Sequence, residues 1–357
     1  MSKLCRSGRL YAVEQWIKEG KPLYAENYSR GRGRRVQSAL SVAIETKQVD
    51  LALLLLCNGF PPDAGGESLL DDAVRDRQED FVELLMKWGA DPLRLNPYDV
   101  LDSYDADLYE RFWTLGLDFA RNHALARMLA GQSSNRPAYG WARRHNTEPK
   151  VARELAIALV HAVAENRERA VALLVWAGAD PRRPAPDLRY MRADEDEPDE
   201  DCLTAIEYAV MYGYGHLLKT LKPHPTRDNF ERLWAWVCDE TAIDYLGKLA
   251  RPEDWSAVLT RNLDHALSRY SGDASRKCVE KLTVSYGARL TAMTPERIAQ
   301  FRRDVVRSDN ESGCRWVLRW MSYEETCEPS VFAELTRTPS VRAKLNSLHI
   351  RDARYRY

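Results

Sequence analysis

One spacing recurs three times in this chain and limits what it can fold into. In Ser68–Pro92, SLLDDAVRDRQEDFVELLMKWGADP, Ala73 stands sixteen residues before Gly89, with Leu84, Leu85 and Met86 just ahead of the glycine. In SALSVAIETKQVDLALLLLCNGF, Ala43 stands sixteen before Gly59, with Leu54, Leu55 and Leu56 ahead of it. In LAIALVHAVAENRERAVALLVWAGADP, Ala162 stands sixteen before Gly178, with Leu173, Leu174 and Val175. Three matches in one register make an internal repeat, and each copy reads as two short antiparallel helices closed by a turn. So small a unit cannot bury its aliphatic triplet alone. It must stack on its neighbours, where burial of apolar surface stabilises at roughly 25 cal/mol per Å².

The first helix of the unit has its own signature. Ser38-Ala39-Leu40-Ser41-Val42-Ala43, Ser68-Leu69-Leu70-Asp71-Asp72-Ala73 and Thr204-Ala205-Ile206-Glu207-Tyr208-Ala209 share a hydroxyl, an aliphatic residue and a closing small residue. At these residues the chain resembles the ankyrin-repeat family, whose unit is a turn, a short helix opening Thr-Pro-Leu-His-x-Ala, a longer helix and Gly-Ala-Asp. The family's Pro and His are absent from all three segments. The resemblance implies an all-α fold, a curved solenoid of stacked antiparallel helix pairs that binds a partner protein without catalysis. It also places the last exposed turn of each first helix in the binding groove: Glu45, Arg75, Asp76, Glu165, Met211 and Tyr212, with Trp88 at the rim. Trp16 and Trp176 fall on the buried side of their second helices.

The repeat grades along the chain, which reads as a single repeat domain over residues 1–357. Residues 3–92 hold clear repeats, the first with Gly8 and Gly20 twelve apart. Residues 93–150 are divergent repeats or an inserted element. Within them, Asn96 to Asp118 forms a further pair closed by Gly116-Leu117-Asp118. Clear repeats resume over 151–225, where Lys222-Pro223-His224-Pro225 replaces the last Gly-Ala-Asp. Residues 226–357 are divergent helical repeats, with 331–348 as a cap. Nothing reads as strand.

Two long connections interrupt the repeats, and they carry opposite charge. Residues 21–37 hold Arg30, Arg32, Arg34 and Arg35 around Gly31 and Gly33. Residues 182–202 hold Asp194, Glu195, Asp196 and Glu197 in an acidic run. The acidic finger has three readings: capture of a basic partner, pairing with the arginine finger of the same chain, or a solvated loop. The arginine finger could grip an acidic protein surface or, through Arg30 to Arg35, nucleic acid phosphates; Tyr24 and Tyr28 are the only aromatics near it.

Bulk properties narrow the class. A formal net charge of -1 over 357 residues excludes a surface built wholly for polyanions. Seven cysteines without a Cys-x-x-Cys spacing read as free thiols in a reduced compartment. The chain opens without an apolar leader, and its longest apolar run, Leu51 to Cys57, is far short of the ~20 residues that span a bilayer. A cytoplasmic protein without membrane contact is expected. No cofactor or metal is expected either: His216 and His224 with Cys202 or Cys238 could be drawn as a site, but neither spacing fixes a shared face. The expected function is a protein-binding module, as an intracellular inhibitor or immunity protein or as a scaffold. An enzyme site would have to hide in 93–150.

Overall fold

A computed structural model describes residues 2–21, 38–62, 69–131, 134–190, 202–268, 272–289, 292–297 and 300. Both charged fingers, with Arg32, Arg34, Arg35, Asp194, Glu195, Asp196 and Glu197, lie outside the described residues. So do Ser68 and the expected cap at 331–348. The described residues form helices and turns, with no strand among them.

The helices come in pairs because the sequence alternates two kinds of segment. In each of the next two pairs a seven-residue helix, α3 (Ala39–Glu45) or α5 (Leu69–Arg75), precedes a nine-residue helix, α4 (Val49–Cys57) or α6 (Glu79–Lys87). The first pair is α1 (Ser2–Arg6) and α2 (Leu10–Lys18). The stretch left open as repeat or insertion continues the pattern with α7 (Pro97–Asp102), α8 (Ala106–Thr114), α9 (Ala124–Gly131) and α10 (Arg136–Arg144). Then follow α11 (Pro149–Ala164), α12 (Glu168–Ala177), α13 (Ala205–Met211), α14 (Leu218–Leu221), α15 (Phe230–Trp236), α16 (Glu240–Leu249), α17 (Ser256–Leu267) and α18 (Gly272–Val284).

The hydroxyl in the sequence signature starts the first helix. The Ser38 Oγ accepts from the Ser41 N–H at 2.9 Å. Thr204 and Glu207 form a reciprocal capping box, which satisfies two backbone donors that a helix start leaves open. Turn chemistry then sets the length of the second-helix segment. Lys47, Arg77, Tyr104 and Asn166, between the helices of a pair, have φ of 56°, 53°, 59° and 53°. Twelve residues after each comes a glycine of positive φ: Gly59, Gly89, Gly116 and Gly178. Gly89 at 91° and Gly178 at 98° therefore hold the left-handed turns expected of them, where a Cβ would be strained.

Close Cα approaches divide the described chain into two units, residues 2–158 with 176–179 and 190, and 159–175 with 180–189 and those from 202 onward; the first division falls within α11. In the first unit, the first helices pack in series, α1 on α3, α3 on α5, α5 on α7 and α7 on α9, while α4 packs on α6 and α8 on α10. Leu40, Ala43, Leu55, Ala73, Leu85, Val100, Phe112 and Leu125 are buried along that series. In the second unit α13, α15 and α17 pack in series, as do α14, α16 and α18, around Ile206, Leu233, Trp234, Ile243, Leu259 and Leu282.

One core assignment fails. Trp176, expected on the buried side of α12, is 50% exposed, with the Arg143 guanidinium 4.4 Å from its ring centre. The inward stripe of α12 is Ala170, Val171, Leu174 and Ala177, at helical spacing, and Trp176 lies off it. Trp16 is half-buried, its ring covered by Lys21.

Candidate functional site

The expected groove residues in the described segments occupy one structural position. Glu45, Arg75, Asp76, Glu165, Met211 and Tyr212 each stand one or two residues before a positive-φ turn residue, Lys47, Arg77, Asn166 or Gly213. All are exposed except Met211, which is half-buried. In the first unit α3 packs on α5, so Glu45 and Arg75 close equivalent ends of neighbouring helices. Arg75 pairs with Asp72 of its own helix at 2.7 Å, an exposed contact worth little by itself. Trp88, 39% exposed, does not join them. It caps the far end of α6, and a nine-residue helix separates its ends by about 13 Å.

In the second unit the same position carries a stacked aromatic ladder. Tyr208 and Tyr212, one helical turn apart on α13, have ring centres 5.7 Å apart and planes within 11°. Tyr212 continues onto Tyr214 at 6.1 Å and 14°, and the His216 ring meets Tyr214 edge-on at 6.4 Å. The left-handed Gly213, φ 76°, reverses the chain between Tyr212 and Tyr214 and lets them stack. Only Tyr212 was expected here. Tyr208, Tyr214 and His216 were legible as a cluster of rings, but their stacking depends on that turn.

Beneath α11, in the same unit, His161 Nδ1 lies 2.8 Å from Asp187 Oδ1, and Arg189 Nη2 lies 2.6 Å from Asp187 Oδ2. Burial raises the Asp187 carboxyl, but bonds from His161 and from the Arg189 side chain and N–H outweigh it and hold the pKa below the usual value. Arg189 also reaches Glu165 at 3.5 Å, tying a groove residue to this buried carboxylate. The first unit has a comparable pair, His123 with Glu154 at 2.8 Å, where Glu154 also accepts the Ala126 N–H.

A cavity of about 280 Å³ opens in the first unit between the α5–α6 and α7–α8 turns. Val74, Val82 and Leu108 supply apolar lining, and Arg77, Gln78, Glu79, Ser103, Tyr104 and Asp105 supply polar lining. Gln78 is 9% exposed, and neither its Nε2 nor its Oε1 meets a hydrogen-bond partner. An unpaired buried polar group costs roughly 1–3 kcal/mol. Sequence reasoning passed over Gln78 because it reads as an ordinary turn residue.

The thiols and imidazoles build no metal centre here: among the described residues no three His, Cys, Asp or Glu side chains gather as ligands. The combination of His216 and His224 with Cys202 or Cys238 is not assembled. Cys238 Sγ instead donates to the Val210 and Met211 carbonyls, and burial, with the nearby Asp239, pushes its thiol up to about 11. Burial likewise raises Cys5 and Cys278. No described helix is long and apolar enough to cross a membrane.

No protein-family model matches the chain, and no curated protein matches it as a relative. The class shown is therefore an all-α protein of serially packed helix pairs.

Proposed function

We propose that this chain is a non-enzymatic protein-binding module built of ankyrin-like repeats, which acts by occupying a surface of its partner. The observation that carries this reading is the Tyr208–Tyr212–Tyr214 ladder, a pre-stacked aromatic face at the end of a first helix, with Tyr212 41% exposed. Stacked rings lose little conformational freedom on binding, and tyrosines are among the residues that dominate interface energetics. The twelve-residue interval between left-handed turns supports the repeat assignment, since it gives the second-helix segment the same length in four pairs.

The partner is a protein, and the module works in the cytoplasm as an inhibitor or immunity protein; a scaffold role differs only in what happens to the partner. The test is capture from the native source on immobilised full-length chain, compared with Tyr212→Ala and Tyr214→Ala. Both variants should fold as the parent does and lose a protein that the parent retains. Assaying the captured protein with and without the chain separates inhibitor from scaffold. Equal retention by parent and variants would remove the aromatic face from the binding surface.

A further inference from the structure

The cavity between the α5–α6 and α7–α8 turns has a chemistry narrower than general protein binding. Gln78 follows the left-handed Arg77 and stands at the N-cap position of α6, yet its side chain makes no cap. At the equivalent place one pair later, Asp105 caps α8 by accepting from the Asp107 and Leu108 N–H groups. A glutamine carries its amide too far along the side chain for the short capping contact. It is placed in the cavity wall with both amide atoms unpaired.

We infer that this cavity binds the side-chain carboxamide of a glutamine or asparagine in a partner polypeptide. This rests on the protein-binding reading for the source of the group. A single ligand that satisfies both the Nε2 donor and the Oε1 acceptor must present an acceptor and a donor at matching spacing, which is what another carboxamide does. Both amide atoms are buried in the wall, so the bound state requires the Gln78 side chain to turn its amide toward the ligand. Val74, Val82 and Leu108 accept the methylenes that precede the incoming amide. The rim disfavours a charged ligand of either sign, since it carries Arg77 together with Glu79 and Asp105, and the Arg77 guanidinium already sits 5.6 Å from the Tyr104 ring centre. A volume of about 280 Å³ accommodates one such side chain and its flanking backbone.

The experiment titrates the full-length, isotope-labelled chain with N-acetyl-glutaminamide and follows the Gln78 side-chain NH₂ and the backbone amides of Ser103, Tyr104 and Ala106. Saturable shifts at these groups are expected with the capped glutamine. They should be absent with equally capped leucine or glutamate, lost in Gln78→Met, and lost in Ala106→Leu, which keeps the carboxamide but fills the cavity. If Gln78→Met does not fold, Ala106→Leu carries the test. Free glutamine, with its ammonium and carboxylate, should bind more weakly than the capped form; tighter binding would overturn the polypeptide as source. Equal shifts from capped leucine, shifts that survive both variants, or no shift with any probe would overturn the site itself. None of these results bears on capture through Tyr212 and Tyr214, which tests the protein-binding reading separately.

Discussion

Asn146 lies against the back of Gly178: its Nδ2 donates to the Ala177 carbonyl oxygen at 3.3 Å, and a Cβ added to the glycine would fall on that amide. Gly89 holds the equivalent turn after α6 with nothing within 4 Å of such a Cβ. The two turns share a backbone and differ in their surroundings.

Alanine at each glycine should separate these effects. Gly89→Ala meets only the left-handed backbone penalty, about 1–2 kcal/mol. Gly178→Ala adds the displacement of Asn146 and should cost more, and Gly178→Val more again. In an Asn146→Ala background the Gly178→Ala loss should shrink toward the Gly89→Ala value. Urea unfolding of the parent, Gly178→Ala, Asn146→Ala and the double variant measures the coupling; equal losses at both glycines would mean that Asn146 simply moves aside.

Leu85 is fully buried on α6, which packs on α5 and α4. Leu85→Ala should destabilise by ~2–5 kcal/mol, the range for a large-to-small core change that leaves a cavity. Leu84, half-buried one residue earlier, should lose much less on the same substitution. Comparing their thermal midpoints checks the orientation of the helix.

Asn135 tests the stretch that was open as repeat or insertion. It is fully buried, its Nδ2 donates to the Leu101 carbonyl at 2.7 Å, and its Oδ1 accepts from the Ala138 N–H and the Tyr109 hydroxyl. Burial dominates the Tyr109 phenol and pushes it up to about 12. Asn135→Ala removes a cap and leaves buried partners unpaired, so a loss of roughly 2–3 kcal/mol is expected. Tyr109→Phe, which removes one hydroxyl that also donates to Leu101, should cost about 1 kcal/mol.

Asp187 gives a pH dependence of definite sign. Its folded pKa lies below the unfolded value of about 3.9, so its stabilising contribution is complete above that value and is lost as pH falls through the folded pKa. Asp187→Asn should lower stability at pH 7 by roughly 1.5–3 kcal/mol, since it weakens charged hydrogen bonds to His161 and Arg189. The gap between parent and variant should be constant above the unfolded value and narrow as pH falls through the folded pKa. A gap independent of pH down to acid unfolding would show that packing, not charge, holds the Asp187 loop.

The amino-acid sequence determined the repeat. The sixteen-residue interval from Ala73 to Gly89 predicted the helix pair, and Gly89 and Gly178 predicted the left-handed turns after α6 and α12, because a residue without a Cβ takes that conformation at no steric cost. After Asp118 the next pair was hidden, because α10 starts on an Asn135 cap and no Gly-Ala-Asp signature closes it. Tertiary structure decided the rest. Lys47, Arg77 and Tyr104 turn left-handed at a local cost that their residue types do not advertise, and packing of the helices on both sides of each turn enforces it. The same enforcement stacks Tyr212 on Tyr214 and places Gln78 in a cavity wall. Trp176 was misread for a related reason: hydrophobicity alone marks a side chain as able to be buried, while the stripe through Ala170, Leu174 and Ala177 chose which face of α12 turned inward.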